Sequence, residues 1–261
     1  MKQQYALVTG ASMGLGRAFA LELASRGYNL ILVSLPNEGL EQVAAECRTM
    51  GVESMCRELD LTNRGELLLL VEDINRNYDL EVLVNNAGYG GSREFESVPF
   101  DYIYGMIQLN VAATISLTHQ LLPNLRRQTK GYILNISSMA SLIPSGFKTV
   151  YPASKAFIRH FSIGLRYELK GSGINVCVAV LGPMPTNSDV TERIESQGAL
   201  GRRVSILPDY AARCSIDAML RGDGEVVVGS FNKLMKLLID LVPRKFVAKM
   251  MTRKVKANEI G

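Results

Sequence analysis

The 261-residue sequence is poor in the side chains that build metal centres and redox sites. It contains no tryptophan, two histidines (His119 and His160) and four cysteines. No cysteine pair has the Cys-x-x-Cys spacing of a zinc or redox motif, and two histidines are too few for a His-rich metal site. We therefore expect no metal, and we interpret the cysteines as small buried side chains in a reducing compartment.

Long apolar segments are absent as well. No run reaches the roughly 18 apolar residues that a transmembrane helix needs. The first four residues lead directly into a short apolar strand, without the longer apolar region of a signal peptide. These two absences predict a cytoplasmic protein.

The net charge of +4 is too small to indicate a nucleic-acid partner, but it is unevenly distributed. Residues 231–261 hold eight basic side chains against two acidic ones, so residues 1–230 carry a net charge of −2. The apolar content of 47% is typical of a packed globular protein, and the length fits one α/β domain. We expect a domain over 1–230 and a basic helical tail over 231–261.

Short apolar runs alternate with helical patterns along most of the chain. Such alternation predicts βαβ units, and hence a doubly wound parallel sheet of about seven strands with helices on both faces. The predicted strands lie near 5–9, 30–33, 53–59, 82–84, 132–136, 175–180 and 225–228. The predicted helices lie near 15–26, 38–50, 63–77, 100–122 and 152–170.

The turn after the first predicted strand is rich in glycine. Residues 9–16 read Thr-Gly-Ala-Ser-Met-Gly-Leu-Gly and precede a predicted helix. Glycines let the backbone turn tightly and approach a phosphate closely, and a helix N-terminus adds N–H donors and partial positive charge. The turn therefore predicts a dinucleotide site with contacts at Gly10, Ser12, Met13, Gly14, Leu15 and Gly16.

Two further motifs follow this turn. Asn85-Asn86-Ala87-Gly88 comes after the fourth predicted strand, and Tyr151-x-x-x-Lys155 opens a predicted helix. Together with the Gly-x-x-x-Gly-x-Gly turn, they resemble the short-chain dehydrogenase/reductase family over roughly residues 4–230. The resemblance implies a single-domain Rossmann fold that binds NAD(P) and carries its own catalytic residues. The further cofactor contacts that we expect are Ser34, Asp60, Leu61, Asn86, Ala87, Gly88, Tyr151, Lys155, Pro183 and Thr186.

The resemblance gives some of these contacts a specific place. Asp60 matches the position beside the adenine, and Thr186 matches the segment beside the nicotinamide amide. Asn86 and Gly88 match the motif that supports the sheet and lines the cofactor. The alternatives are an Asp60 that only caps a helix and a Thr186 that is only a loop residue.

The residues after the second strand bear on the choice between NAD and NADP. A carboxylate there bonds both hydroxyls of the adenosine ribose, whereas a basic residue pairs with the 2′-phosphate. Residues 34–37, Ser-Leu-Pro-Asn, offer neither group. Because Ser34 and Asn37 can bond a phosphate and Arg17 is nearby in sequence, we expect NADP(H) rather than NAD(H).

Tyr151 and Lys155 are four residues apart at a helix start, which places them on one face of the helix. Pro152 is compatible with a first helical turn. A free tyrosine titrates at about 10, and a neighbouring ammonium lowers that pKa by favouring the phenolate. The pair is therefore predicted to exchange a proton with the oxygen of a ketone or alcohol during hydride transfer. In the family, the lysine also binds the nicotinamide ribose.

The resemblance implies two more catalytic residues. Ser138, thirteen residues before Tyr151, matches the serine that donates a hydrogen bond to the substrate oxygen, and the adjacent Ser137 fits this spacing less well. Asn110 matches the asparagine that holds a water against the lysine and continues the proton relay.

The sequence departs from the family pattern at two positions. Leu181 stands where the family usually has a proline, which bears on the loop over the nicotinamide, and Pro152 replaces a commoner serine. Neither change removes a chemical group. The residues near the matched segments that could line a substrate pocket are mostly apolar and indicate a hydrophobic ketone or acyl carbonyl; they are Tyr89, Ile143, Phe147 and Met184.

The basic tail contains an apolar helical face. Leu234, Leu237, Leu238, Leu241 and Val242 follow the i, i+3, i+4, i+7, i+8 pattern, and Pro243 ends this helix. Two interpretations remain open. The face covers the substrate pocket or another subunit, or the tail lies on an anionic membrane surface.

Competing functions also remain open. A non-catalytic NAD(P)-sensing protein of the same fold commonly lacks the tyrosine or the lysine, whereas this chain keeps both. A sugar-nucleotide epimerase shares the pair but usually has a longer C-terminal substrate lobe. A third alternative is a membrane-peripheral protein whose enzyme domain is secondary. The family also implies a homo-oligomer through helices near 100–122 and 152–170.

Overall fold

Every strand pair of the central sheet is parallel. A computed structural model describes residues 4–185 and 203–257, and the predicted contact Thr186 lies outside these ranges. Within them, the sheet has the order β3-β2-β1-β4-β5-β6-β7. The strands are β1 (Tyr5–Thr9), β2 (Asn29–Ser34), β3 (Ser54–Glu58), β4 (Leu80–Asn85), β5 (Gly131–Ser138), β6 (Ile174–Leu181) and β7 (Glu225–Val227). This arrangement confirms the predicted Rossmann-type sheet.

Helices connect the strands, and two more follow the sheet. The predicted helix over 100–122 is divided by a π-helical segment at Gln108–Ala113, with a regular helix on either side of it. The helices are α1 (Gly14–Ser25), α2 (Leu40–Arg48), α3 (Arg64–Asn77), α4 (Phe100–Ile107), α5 (Thr114–Leu125), α6 (Val150–Glu168), α7 (Pro208–Arg221), α8 (Ser230–Leu241) and α9 (Arg244–Val255).

The sheet is apolar on both faces because helices cover both. Alternate residues of a strand point to opposite sides, so Ala6 and Val8 pack in one core cluster while Leu7 packs in the other. The first cluster includes buried residues of α1, α2 and α7, and the second includes those of α3 and α5. Coverage on both faces accounts for the continuous apolar runs of the sequence.

The position of β1 in the sheet determines where a ligand can bind. β1 pairs with β2 on one side and with β4 on the other, so the chain turns in opposite directions after these neighbouring strands. Connections that diverge in this way leave a crevice at the carboxyl ends of the strands. The glycine-rich turn follows β1, and the motif at 85–88 begins with the last residue of β4, which brings both predicted motifs to this crevice.

A buried amide joins three elements at the opposite end of the sheet. The Asn124 side chain is fully buried, and its oxygen accepts a hydrogen bond from the Leu80 backbone N–H at 3.1 Å. Its amide nitrogen donates to the backbone carbonyls of Ile74 and Tyr78, at 3.3 and 3.0 Å. One side chain of α5 therefore holds the end of α3 and the start of β4.

The C-terminal tail forms two helices, and the break between them contains Pro243, where the sequence predicts that the first helix ends. Asn232, in the first turn of α8, is buried and donates hydrogen bonds to the carbonyls of Val204 and Val228, at 3.1 and 2.9 Å. The division of the chain at residue 230 stays a prediction. Among the described residues, no helix combines the length and the apolarity needed to cross a bilayer.

Replacing Asn124 by alanine should destabilise the fold. The change leaves the Leu80 N–H and the Tyr78 carbonyl without this partner, whereas the Ile74 carbonyl keeps the Tyr78 N–H. One orphaned buried group costs about 1–3 kcal/mol. We expect the free energy of unfolding, measured by urea denaturation, to fall by at least about 2 kcal/mol. The control is Asn77→Ala, an exposed position on α3, for which a change below about 0.5 kcal/mol is expected. Equal effects of the two substitutions would contradict this role of Asn124.

Candidate active site

The glycine-rich turn packs so closely that side chains are excluded from it. A Cβ atom on Gly16 would lie 1.8 Å from the carbonyl oxygen of Gly10 and 2.7 Å from the side-chain nitrogen of Asn86. Gly10 itself has a φ of 65°, in the left-handed region that favours glycine. The turn is therefore held against the first turn of α1 and against the segment after β4.

The N-terminus of α1 lacks a side-chain cap. Met13 occupies the N-cap position and makes no side-chain hydrogen bond to the first turn, which also contains no acidic residue. In α3, by contrast, the Asn63 side chain accepts hydrogen bonds from the N–H groups of Gly65 and Glu66. Uncapped N–H groups at a helix start are donors for an anion. This part of the crevice fits a dinucleotide pyrophosphate.

Asn86 and Thr9 join the two motifs. The Asn86 side chain donates to the carbonyls of Thr9 and Gly10, at 2.9 and 3.2 Å. The Thr9 hydroxyl accepts from the backbone N–H groups of Asn86 and Ala87, both at 3.0 Å. The predicted support of the sheet by Asn86 is therefore visible as direct bonds between the ends of β1 and β4.

Asp60 and Leu61 lie after β3, on the same rim. One oxygen of the Asp60 carboxylate accepts hydrogen bonds from the N–H and the hydroxyl of Thr62, both at 2.8 Å. The cap of α3 is Asn63, so Asp60 does not cap that helix. The Leu61 side chain belongs to the hydrophobic core, which leaves its backbone as the part able to face a cofactor.

The structure reveals a carboxylate beside the glycine-rich turn that the sequence did not indicate. Glu38 accepts a hydrogen bond from the Ser12 hydroxyl at 2.9 Å, inside the glycine-rich turn. The residues considered for a phosphate have other partners: Arg17 pairs with Glu46, and the buried Ser34 hydroxyl donates to the Leu35 carbonyl. Strand periodicity could not reveal Glu38, because it reaches the turn only through the loop between β2 and α2.

Tyr151 and Lys155 occupy the first two turns of α6, as predicted. The Tyr151 ring packs against Gly90, where a Cβ atom would lie 2.2 Å from the ring. A Cβ atom on Gly88 would lie 2.7 Å from the Asn110 side-chain oxygen and 3.2 Å from the Lys155 ammonium nitrogen. The glycines after β4 therefore allow Tyr151, Lys155 and Asn110 to gather at one edge of the crevice.

Lys155 is almost completely buried, with 6% of its surface exposed. Its ammonium donates a hydrogen bond to the Ile136 carbonyl at 3.1 Å. Burial disfavours the charged form and lowers the pKa of Lys155 from its usual 10.5 to about 8. A buried cation of this kind stabilises negative charge that develops near it more strongly than an exposed lysine does.

Asn110 is held from several sides in the π-helical segment. Its side-chain oxygen accepts from the Tyr89 N–H at 3.0 Å, and its nitrogen donates to the Tyr89 carbonyl at 2.9 Å and to the Ser154 hydroxyl at 3.1 Å. π-Helical turns within α-helices are frequent at functional sites. The bonds show that Asn110 positions the loop after Gly88, while its relay of protons through a water stays a prediction.

The two neighbouring serines at the end of β5 have different surroundings. Ser137 is buried, and its hydroxyl donates to the Lys155 carbonyl at 2.8 Å. Ser138 is half-buried, and its oxygen accepts from the Ala140 N–H at 3.1 Å. Ser137 therefore anchors α6, which leaves Ser138 as the serine available to a substrate oxygen, as its spacing indicates.

The loop after β6 lies beside the start of the tail. Pro183 is exposed, and its carbonyl accepts from the Ile206 N–H at 3.2 Å. A Cβ atom on Gly182 would lie 2.6 Å from the Asn232 side-chain nitrogen. The loop after β6 therefore packs directly on α8.

A cleft with an aromatic and apolar lining opens next to Tyr151. Phe147 has a φ of 61°, unusual for a bulky residue, and its carbonyl accepts from the Arg93 N–H at 2.7 Å. The Arg93 guanidinium lies 5.0 Å from the centre of the Tyr102 ring. Of the residues predicted to line a pocket, Phe147 lies in this cleft, whereas Ile143 is buried and Met184 packs against the core.

Comparison with known proteins agrees with this geometry. A sequence profile of the short chain dehydrogenases matches residues 4–197. The chain belongs to the short-chain dehydrogenase family. Among curated relatives of this short-chain dehydrogenase, the very-long-chain 3-oxoacyl-CoA reductase of Anas platyrhynchos is 40% identical over 177 residues, covering 66% of this chain and 57% of that protein.

Another relative is named as inactive. The inactive hydroxysteroid dehydrogenase-like protein 1 of Rattus norvegicus is 35% identical over 191 residues, covering 72% of this chain and 57% of that protein. The short-chain dehydrogenase described here thus spans little more than half the length of these two relatives. A solved short-chain dehydrogenase from Sphingobium yanoikuyae in complex with NADPH is 25% identical, with a TM-score of 0.78, covering 92% of this chain and 97% of that one.

Replacing Glu38 by glutamine should favour NADPH over NADH. The Glu38 carboxylate accepts the hydrogen bond of the Ser12 hydroxyl. If the adenosine ribose binds at the end of β2, as the family resemblance implies, this carboxylate should repel a 2′-phosphate. We expect the Kd of NADPH to fall about tenfold, equivalent to about 1.4 kcal/mol, and the Kd of NADH to change little. Calorimetry measures both constants.

The matched control is Glu41→Gln, an exposed carboxylate that pairs with Arg48 on α2. It should leave the ratio of the two constants unchanged. Equal shifts for NADPH and NADH in the Glu38 variant would show that this carboxylate does not sense the 2′-phosphate.

Replacing Lys155 by methionine should stabilise the cofactor-free protein at neutral pH. Because the folded pKa of Lys155 is about 8 and the unfolded value is about 10.4, the unfolded chain binds more protons between these values. Wild-type stability therefore rises across this window, by about 3 kcal/mol. We expect the variant to exceed the wild type at pH 7 and to lose this advantage by about pH 10.5.

Urea denaturation over a pH series tests this expectation. Lys170→Met, at an exposed position just after α6, is the control, and its difference from the wild type should not vary across the window. A constant difference for the Lys155 variant would contradict the depressed pKa.

Proposed function

We propose that this chain is an NADP(H)-dependent reductase that converts a hydrophobic ketone or acyl carbonyl to the secondary alcohol. The observation that supports this most directly is the convergence of Asn110 and Lys155 on Gly88, with Tyr151 packed against Gly90. The acid–base pair, Tyr151 and Lys155, thus lies at one end of the crevice. The N-terminus of α1, which has no side-chain cap, lies at the other end.

The side chains divide the chemistry among them. The bound nicotinamide supplies the hydride. The Tyr151 hydroxyl donates its proton to the carbonyl oxygen of the substrate, and the Lys155 ammonium stabilises the phenolate that remains. The Ser138 hydroxyl donates a hydrogen bond to the same substrate oxygen, where negative charge develops. Asn110 holds the loop after Gly88 in place and, as the resemblance implies, continues the proton relay.

Two observations favour NADP(H) over NAD(H), and one opposes it. The end of β2 carries no acidic residue within Ser34–Asn37, and a solved relative binds NADPH. The carboxylate of Glu38, which directly follows Asn37, would repel a 2′-phosphate at this position. NADP(H) binding is expected to draw the Ser12 hydroxyl away from this carboxylate.

The lining of the cleft and the curated relatives favour an apolar substrate. Phe95, Tyr102, Ile103 and Phe147 line the cleft beside Tyr151. One relative is named as a reductase of very-long-chain 3-oxoacyl-CoA. A 3-oxoacyl thioester is therefore the first compound class to test, with a homo-oligomer as the expected state of the enzyme.

The alternative is a non-catalytic cofactor-binding protein. A relative named as inactive keeps this alternative open. The presence of Asn110, Ser138, Tyr151 and Lys155 in the chain argues for turnover. Cofactor binding without reduction of any carbonyl would decide for the alternative.

Replacing Tyr151 by phenylalanine should abolish reduction and leave cofactor binding intact. Loss of the general acid lowers rates by about 10²–10⁴-fold, and the ring still packs on Gly90. We expect kcat for 3-oxoacyl thioesters and simple aromatic ketones, followed by NADPH consumption, to fall by that factor. The control is Tyr167→Phe at an exposed position on the same helix, which should retain full activity.

A further inference from the structure

The tail presents seven large apolar side chains to solvent. We call this set the tail surface; it consists of Leu234, Leu237, Leu238, Leu241, Val242, Phe246 and Met250. Leu241 and Phe246 are more than 70% exposed. All residues from Leu241 to Phe246 are exposed, so the turn between α8 and α9 forms the tip of this surface. Contiguous exposed apolar surface commonly marks an interaction site.

The other sides of α8 and α9 are anchored to the protein. Asn232 fixes the start of α8, and Val247 and Val255 are buried beneath α9. The Thr252 hydroxyl accepts from the Gly146 N–H at 2.9 Å. The tail surface is therefore the outward face of two helices that already have a defined place. The sequence left open whether the tail packs on the protein. In the structure α9 does so through its buried valines, whereas the leucines of α8 remain exposed.

Basic residues surround the tail surface. Asp240 is the one acidic residue within 231–257, and it accepts a hydrogen bond from Lys236 at 2.8 Å. The exposed basic side chains on the same two helices and their ends are Lys233, Arg244, Lys245, Lys249, Arg253 and Lys256. Apolar side chains interleaved with lysine and arginine are typical of helices that lie in the interface of an anionic membrane.

We propose that the tail surface docks this enzyme on anionic lipid membranes, with the tip at Leu241–Phe246 inserted among the headgroups. The charge distribution favours a membrane over a second copy of the chain. A two-fold contact through the tail surface would bring two strongly basic tails together, and like charges at close range are unfavourable. An anionic lipid surface complements both the charge and the apolar residues.

The position of α9 gives this docking a consequence for the substrate, which rests on the proposed function. Lys256 lies 5.7 Å from the centre of the Phe147 ring, and Thr252 bonds to Gly146. Both contacts hold the loop that lines the cleft beside Tyr151. A docked enzyme would therefore keep this cleft next to the surface where long-chain acyl compounds partition.

Sedimentation with phospholipid vesicles tests the docking without any substrate. We expect the full chain to bind vesicles containing phosphatidylserine at least tenfold more tightly than vesicles of phosphatidylcholine alone, and salt to weaken that binding. The charge variant Lys245→Glu with Lys249→Glu should lower the affinity by at least about 30-fold, since each basic residue contributes about fivefold. Leu241→Glu should also reduce binding strongly.

Two control substitutions lie elsewhere on the surface. Leu69→Glu on α3, where the leucine is 68% exposed, and Lys170→Glu should leave vesicle binding unchanged. Calorimetric NADPH binding verifies that each variant is folded. Absence of vesicle binding, equal binding to neutral vesicles, or a dimer that Leu241→Glu dissociates would overturn the proposal. None of these outcomes depends on turnover, so they are distinguishable from a failure of the proposed reductase activity.

Discussion

The site depends on one constraint of the sheet, which is that β1 is paired on both sides. Because β2 and β4 flank β1, the connections after β1 and β4 run to opposite faces and leave a crevice between them. The glycine-rich turn beside this crevice is compact because Gly16 and Gly10 pack with almost no space between them. Thr9 and Asn86 then join the two strand ends by hydrogen bonds. The remaining site residues are arranged around this junction.

Burial gives the chemical end of the crevice its electrostatic character. Lys155 is buried between α6 and β5, and its ammonium donates a hydrogen bond to the backbone carbonyl of Ile136. An ammonium in such surroundings interacts strongly with nearby negative charge. The glycines at 88 and 90 matter for the same reason, since side chains there would separate Asn110, Lys155 and Tyr151. Ser137 contributes by tying the Lys155 carbonyl to β5.

The polar groups around the glycine-rich turn have opposite effects on an anion. The N-terminus of α1 has no side-chain cap, so its N–H groups are free to donate to an anion. Glu38 places a negative charge beside the same turn, while Arg17 is paired with Glu46. The tail adds a third influence, because α8 packs on Gly182 and α9 on Gly146. Changes at the tail can therefore reach the loop after β6 and the loop before α6.

The sequence by itself predicted the alternation of strands and helices, the order of the motifs along the chain and the candidate catalytic residues. Apolar runs bounded by glycine predict buried parallel strands, and the spacing of Tyr151 and Lys155 follows from helix geometry, so both can be read from local pattern. The π-helical segment at Asn110 could not be read in this way, because it depends on bonds to Tyr89 and Ser154 from distant parts of the chain.

Only the tertiary structure decided which polar groups meet. Glu38 reaches Ser12 across 26 positions of sequence, and Asn124 reaches Leu80 across 44. The tail shows the same division. Its helices and its charge are visible in the sequence, but which face is buried is not. The buried face is determined by the surface of the domain against which the helices pack. In this structure Val247 and Val255 are buried, whereas Leu241 and Phe246 are exposed to solvent.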